Sequence, residues 1–432
     1  PPISQAGGTR VGLDLKRVIV TVICMANRDF TRPYAPGLPP AGEPFDSGRG
    51  ASDAGIRAPE IDAIRGWAAL SVVCFHVFWE TFGVVVPELR NPYTAGLLAG
   101  HFDVILFFIL SGDALSFPFF HGGGLRYLRR AALKRYPRLT VPIVVVTAVV
   151  ALAMAAGITP TTTASEIVDR TDWLGSFARF NPAGASAVRF ALFYVYQGDF
   201  RADYLPFLWT MPIELMGSFV LLLVLFVQPT IRGAGWAIAG LAVVLLRADI
   251  YAGCFLVGLL LGWARARGLY TRLPVFIGRR LAPLGIVAAL ILAGRRQSSG
   301  DQTLWHLAEI GTLLLFSIYA CPPVVRWLSR NRLSQFLGRI SYLLYLWHFV
   351  VLITLTSRLI VQAAGQDGSL AASTALAIGG LTVAVSVLVS WWTLPIEGWA
   401  RTINIVLLRA RWREDGPQAS DAATAEGATA AP

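Results

Sequence analysis

Long apolar runs, separated by short charged segments, constrain this 432-residue chain more than any other feature. They recur at 64–86, 100–120, 138–157, 207–228, 231–247, 250–264, 281–294, 304–325, 341–362 and 372–394. A helix needs about 20 apolar residues to cross the hydrocarbon of a bilayer. A lipid-immersed backbone must also satisfy its own hydrogen bonds, in helices or closed barrels. The runs are continuous rather than alternating, which argues against a strand barrel. The expected fold is therefore an all-α polytopic membrane protein with about ten transmembrane helices, the sixth and seventh runs being short for a crossing. Composition agrees: only 15% of residues are charged and 55% are hydrophobic, against about 25% charged in soluble domains.

The 37 basic and 26 acidic residues do not form one patch, so nucleic acid is not the expected partner; membrane lipids are. Basic residues gather in the segments 126–138, 265–280 and 326–339, which the positive-inside tendency places in the cytoplasm. This gives an N-in/C-in topology with 158–206 as a long outer loop carrying Asp169, Asp172, Trp173, Asp199 and Asp203. An apolar piece of that loop, Phe190–Tyr196, is expected in the membrane interface. Residues 1–58 are rich in Pro, Gly and charge and read as a disordered tail, and 402–432 as a low-complexity one. The membrane domain is thus 59–401. Cys24, Cys74, Cys254 and Cys321 are far apart, with no metal-ligand spacing, so no metal is expected.

Ionisable residues inside a membrane are functional candidates by default. In the first run, Arg65 and His76 are eleven residues apart, which places them on nearly the same helix face about 16 Å apart. Histidine is the usual general base near neutral pH; the alternative is a core His satisfied by a neighbouring carbonyl. The segment Arg126–Arg138 holds Arg126, Arg129, Arg130, Lys134, Arg135 and Arg138, more than orientation needs. Pro137 suits the first position of a third helix. Arg135 and Arg138 would then flank a helix N-terminus, a favourable place for phosphate; the alternative is anchoring to anionic headgroups. Glu214, near the start of the fourth run, is placed to pair with an arginine, to orient His76 or to meet an acceptor hydroxyl; the alternative is an interfacial carboxylate. Ser341, Tyr345 and His348 share one face of the ninth run, facing a polar cavity or acting as interhelical glue. Ser111-Gly112 permits close packing, and Asp113 is an uncommon intramembrane acid. Gly122–Gly124 reads as a turn.

Together these residues resemble the acyltransferase-3 family of integral-membrane O-acyltransferases. The first run resembles the family's opening L-D-G-x-R-G-x-A-A pattern ending in His, with Arg65 and His76 at the matching positions. Phe107–Gly112 resembles F-F-x-L-S-G, and Arg135-Tyr136-Pro137-Arg138 resembles R-x-x-R with proline. Leu208–Glu214 resembles L-W-S/T-L-x-x-E, and Gly338–His348 resembles G-x-x-S-Y-x-x-Y-L-x-H. Pro395-Ile396-Glu397 resembles the family's closing motif, from which Gly398-Trp399 departs, and Ala63 replaces the usual Gly of the opening one.

The resemblance implies transfer of an acyl group, acetyl first among them, from cytoplasmic acyl-CoA to a hydroxyl of a carbohydrate or related acceptor, in a multi-pass protein of the plasma membrane. Its residue roles would be His76 as base, Arg65, Glu214 and Asp62 as orienting or charge-balancing groups, and Arg135, Arg138, Arg129 and Arg130 on the donor phosphates. Ser341, Tyr345, His348 and Ser111 would line the acceptor side. The rival from another class is a transporter or flippase of lipid-linked sugars, weakened by the lack of any internal repeat. A third reading is a non-catalytic sensor or scaffold.

Overall fold

The computed structural model describes residues 58–198, 204–231, 233–300, 303–366, 368–400 and 402. The expected tails, Cys24, Asp199 and Asp203 lie outside them. Among the described residues there are helices and turns and no strand.

The first helix, α1 (Pro59–Thr81), opens with proline in the first turn and with Glu60 and Asp62 at its positive end. It is α-helical to Cys74 and continues as a π-helix over Phe75–Thr81. There follow α2 (Gly100–Pro118), α3 (Gly124–Ala155), α4 (Pro206–Thr230), α5 (Ala234–Ala248), α6 (Ile250–Ala266), α7 (Ile277–Ser299), α8 (Leu304–Ala320), α9 (Pro322–Arg330), α10 (Arg332–Ala363) and α11 (Ala372–Ala400). By length and composition, six helical stretches among the described residues can cross a membrane, or seven if the α8–α9 pair is one span. That supports a multi-pass membrane protein, with six or seven candidate crossings by this measure against ten apolar runs in the sequence. Two features account for the difference. The helices α5 and α6 are apolar but only 15 and 17 residues long, about 22 and 26 Å against a core of about 30 Å. The second is that Gly100–Ala155 is one helical stretch of 56 residues.

That stretch doubles back on itself. Ser111 in α2 and Arg135 in α3 both hydrogen-bond Oε1 of Glu214. On one straight helix they would be about 36 Å apart. The reversal lies at Phe119–Gly123, where Gly122 and Gly124 have φ of 93° and 52°, values that glycine adopts without strain. The Tyr127 hydroxyl reaches back across it to the Leu115 carbonyl at 2.8 Å. The turn expected at Gly122–Gly124 is therefore where the chain turns. The loop expected over 126–138 is not a loop: α3 starts at Gly124 and carries Pro137 and Pro142 in its interior. Arginine, lysine, leucine and alanine there are good helix formers, and Leu128 packs into the core. Prolines are tolerated inside membrane helices because neighbours re-satisfy the freed backbone. Arg135 and Arg138 thus sit in mid-helix, not at a helix N-terminus.

The run 304–325 is also broken. Helix α8 ends at Ala320, and α9 leaves it at 88°. Pro322 and Pro323 cannot continue a helix, and Cys321 before them is pushed to an extended conformation.

Two contacts set how the helices sit. In the first, α1 and α10 lie side by side, parallel, with almost no side chain between them. A Cβ on Gly66 would be 2.4 Å from the Gly338 nitrogen, and one on Gly338 would be 2.5 Å from the Asp62 carbonyl oxygen. Trp67 Nε1 donates to Ser334 Oγ at 3.1 Å, and Gln335 Nε2 to the Pro59 carbonyl at 2.9 Å, locking the register. Helices α2 and α6 meet in the same manner, with Gly112 against the Phe255 carbonyl and Gly258 against that of Ile109. This is the close packing expected of Ser111-Gly112, and small residues serve it because lipid gives helices no hydrophobic reason to associate.

The second contact is an ion cluster. Arg265 of α6 donates to Asp113 Oδ1 at 2.7 Å and to Glu60 Oε1 at 2.6 Å, and the Tyr319 hydroxyl donates to Asp113 Oδ2 at 2.6 Å. The Arg265 guanidinium also lies 3.8 Å from the Phe117 ring centroid. The cluster joins α1, α2, α6 and α8.

Removing one member of a buried pair leaves a bare charge and costs about 3–5 kcal/mol. Arg265→Ala is therefore expected to lower the melting temperature in detergent sharply, and an unchanged melting curve would refute this role. Gly338→Ala is expected to destabilise by about 1–3 kcal/mol through overpacking. Gly380→Ala, with no atom within 4 Å of its added Cβ, is expected to be neutral in the same melting experiment.

Candidate active site

The α1–α10 register has a chemical consequence. Ten residues beyond Gly66 is His76, and ten beyond Gly338 is His348. The two rings meet: His76 Nδ1 lies 3.0 Å from His348 Nε2, with the rings parallel to within 6°. His348 is 1% exposed, whereas His76 is half-buried. Their proton positions follow from their partners. Nδ1 of His348 is 3.1 Å from the Leu344 carbonyl, which only accepts, so that nitrogen carries the hydrogen. With both rings neutral, His348 Nε2 accepts from His76 Nδ1–H. The lone pair of His76 Nε2 is then left for another partner.

Aromatic rings enclose the pair. Phe207, at the start of α4, stacks on His76 at 3.9 Å and on His348 at 5.1 Å. Trp173, from the long loop between α3 and α4, lies 5.8 Å from His76 and 6.1 Å from Phe207. Tyr345 fixes Phe207: its hydroxyl donates to the Phe207 carbonyl and is 3.0 Å from Thr210 Oγ1. This long loop is itself anchored. The Tyr136 hydroxyl donates to the Leu192 carbonyl at 2.6 Å, and Thr140 Oγ1 lies 2.8 Å from the Tyr196 hydroxyl. Phe190 and Val195 are buried, and the segment Phe190–Tyr196 packs on α3.

On α1, Arg65 lies three helical turns below His76. Its Nη2 donates to Ser111 Oγ at 3.0 Å, Ser111 Oγ donates to Glu214 Oε1 at 2.8 Å, and Arg135 is ion-paired to the same carboxylate oxygen. One line of bonded polar groups therefore joins α1, α2, α4 and α3. Arg135 is 7% exposed, and its buried Nε has no hydrogen-bond partner among the described residues.

The sequence candidates thus divide. His76 and His348 meet, with Tyr345 beside them. Arg65, Ser111, Glu214 and Arg135 form the second group, so Ser111 bridges charges and does not line the histidine pair. Ser341 donates to the Gly338 carbonyl of its own helix at 3.0 Å. Asp62 is exposed in the first turn of α1, about 20 Å along the helix from His76. Arg129 and Arg138 are exposed and Arg130 is half-buried on α3. Three residues escaped the sequence reading. Phe207 and Trp173 lie in segments whose aromatic content was visible but whose approach to His76 was not. Arg265 was one basic residue among several, and the signal for it was Asp113, an intramembrane acid that required a cation. Among the described residues no group of three or more His, Cys, Asp or Glu is arranged to hold a metal ion.

The chain matches the Acyl_transf_3 acyltransferase domain over residues 59–391. It is 26% identical over 372 aligned residues, 68% of this chain and 72% of the relative, to the O-acetyltransferase PaAT-1 of Phomopsis amygdali. No solved structure matches it. The stretch matched to the acyltransferase domain runs from the first turn of α1 into α11 and contains both histidines and the whole Arg65–Ser111–Glu214–Arg135 line. The chain belongs to the Acyl_transf_3 family and is a membrane acyltransferase that transfers groups other than amino-acyl groups.

Proposed function

We propose that the protein is an O-acyltransferase that takes an acetyl group from acetyl-CoA on the cytoplasmic side and passes it to a hydroxyl, with His76 as general base. The observation that carries this reading is the 3.0 Å contact between His76 and His348. A lone histidine against a carbonyl would be a satisfied core residue. A histidine whose Nδ1 is held by a buried second histidine, and whose Nε2 keeps its lone pair, is set up to accept a proton. His76, the more exposed of the two, takes the proton, and His348 holds its tautomer and orientation. This is the role a buried acceptor plays behind any catalytic imidazole.

The chemistry is then simple. The acceptor oxygen attacks the thioester carbonyl as its proton moves to His76 Nε2. The C–S bond breaks, the C–O bond forms, and the imidazolium returns the proton to the CoA thiolate. Phe207 and Trp173 keep bulk water from the thioester and offer ring faces to the acceptor, which suits the C–H face of a sugar. A carbohydrate is the acceptor class we favour, and the relative from Phomopsis amygdali, an O-acetyltransferase by name, supports acetyl as the acyl group.

Arg135 is the first donor contact in this reading. It is held by Glu214, it is nearly buried, and its Nε remains unsatisfied. Arg130 and Arg129 lie nearer the start of α3 and Arg138 one turn beyond Arg135, and together they would lead the donor phosphates in. The distance from Arg65 to His76, about 16 Å along α1, is covered by the pantetheine arm rather than by the phosphates. Glu214 and Arg65 keep this passage charge-balanced. We place Asp62, Ser341 and Ser111 in supporting positions. The reversal at Phe119–Gly123 and the helical character of every apolar run favour ten crossings with both ends of the 59–401 domain cytoplasmic, in the plasma membrane.

Two experiments test this. Acetyl-CoA is expected to bind the detergent-purified protein saturably, and Arg135→Ala/Arg138→Ala is expected to abolish that binding while the protein stays folded. Equal binding by the variant would remove the arginines from the donor site. His76→Ala is expected to lower acetyl transfer by about 10²- to 10⁴-fold, the usual contribution of a general base, with acetyl-CoA binding retained. His348→Ala should fall in the same direction but less far. Wild-type turnover in His76→Ala would end the assignment.

A further inference from the structure

We propose that Arg90 and Arg170 are positioning residues for His76: two guanidinium groups from separate outer segments that hold the π-helical end of α1, and with it the histidine, in place. The inference rests on His76 being the base. The geometry that supports it is local to α1.

A helix ends with carbonyls that have no partner on the same helix. A π-helical turn is a less stable pattern than an α-turn and is kept mainly where something else over-determines it. Both conditions apply to Phe75–Thr81, the seven residues that contain His76. Four of the carbonyls here, those of His76, Val77, Trp79 and Glu80, find a definite donor. Thr81 Oγ1 donates to the His76 carbonyl at 2.8 Å, and the Phe82 nitrogen to that of Val77 at 3.1 Å. Arg90 donates through both Nε and Nη2 to the Trp79 carbonyl, at 3.1 and 2.9 Å. Arg170 donates through Nη1 to the next carbonyl, that of Glu80, and through Nη2 to the Glu80 carboxylate at 2.8 Å. Two consecutive carbonyls are therefore each capped by a different arginine. Their positive charge also suits the negative end of the helix dipole.

The two clamps come from different parts of the chain. Arg90 follows α1 in the segment before α2. Its reach depends on Gly83, where a Cβ would be 2.3 Å from the Trp79 carbonyl oxygen and 2.4 Å from Arg90 Nε. Arg170 belongs to the long outer loop and is 8% exposed. It also donates to Asp172 Oδ1 at 3.1 Å, and this hydrogen bond holds the Asp172 carboxyl below its ordinary range. Its guanidinium lies 5.6 Å from the ring centroid of Trp173, the residue that stands 5.8 Å from His76. One side chain therefore fixes both the helix end that bears His76 and the aromatic wall beside it. Arg90 is exposed and contributes its two bonds to the Trp79 carbonyl; for Arg170, a surface ion pair of no consequence would show neither the backbone carbonyl contact nor the burial.

The test uses the full-length protein in detergent and reads His76 directly. Diethyl pyrocarbonate labels neutral imidazole, and mass spectrometry gives the labelling rate at each histidine. His306, which pairs with Glu309 at 3.5 Å, serves as an internal reference. In Arg90→Gln and Arg170→Gln the labelling of His76 is expected to rise several-fold with His306 unchanged. Release of CoA from acetyl-CoA is measured on the same samples with a mixture of soluble glycosides as acceptor. The kcat is expected to fall by about one to two orders of magnitude, as displacement of a catalytic group by about 1 Å does, with the KM for acetyl-CoA nearly constant. Arg90→Lys and Arg170→Lys, which keep the charge but lose the two-pronged donor, should fall between wild type and the Gln variants, and they carry the test if the Gln variants do not fold. Unchanged His76 labelling in folded variants would overturn the proposal, whatever happens to kcat. A rise in labelling with no acetyl transfer by the wild type would leave the clamp standing and remove the base assignment instead.

Discussion

The close approach of α1 to α10 is the constraint on which the site depends. Two glycines meet where each helix would otherwise carry a side chain, and the absent Cβ atoms let the backbones touch. In a membrane this contact cannot be replaced by a greasy interface, because lipid solvates leucine as well as another leucine does. Shape and hydrogen bonds must do the joining, and Trp67–Ser334 and Gln335–Pro59 supply the bonds at one end. Because the helices are parallel and equally pitched, a register set at Gly66 and Gly338 is still in force about 15 Å further along. His76 and His348 meet there as a result.

Charge follows a second rule. Ionised groups inside the hydrocarbon must be paired or face a water-filled space, and this chain does so in two ways. In the Glu60–Arg265–Asp113–Tyr319 cluster both oxygens of Asp113 are engaged, and helices are tied together. The Arg65–Ser111–Glu214–Arg135 line also links helices. Each network leaves one buried guanidinium nitrogen, Nε of Arg265 and Nε of Arg135, with no hydrogen-bond partner among the described residues.

The segment between α3 and α4 shows how a long loop is brought against the histidine pair. The loop docks on α3 through Tyr136 and Thr140 and on the end of α1 through Arg170. Its Trp173 and the adjoining Phe207 are brought onto the imidazoles, and Tyr345 of α10 holds Phe207 from behind. The π-helical turn that presents His76 is thus braced on every side by groups from other segments.

Much of this was legible in the chain itself. The all-helical membrane class follows from the continuous apolar runs, since nothing else satisfies the backbone in lipid. The family follows from motifs centred on Arg65, His76, Ser111, Glu214 and His348, whose side chains cannot be hidden in such a sequence without a reason. The reversal near Gly122 was marked by its glycines. Other features depended on distance through space. No periodicity reveals that Ser111 and Arg135 bond the same oxygen of Glu214, that α3 begins at Gly124 and runs through Pro137, or that α8 breaks off at Ala320. Nor does spacing along one helix say which histidine lies behind the other. Local propensity and hydropathy act over a few turns, and the sequence by itself determined what acts at that range. Pairing of charges, crossing of helices at glycine and stacking of aromatic rings are contacts between residues up to hundreds of positions apart, and only the tertiary structure decided them.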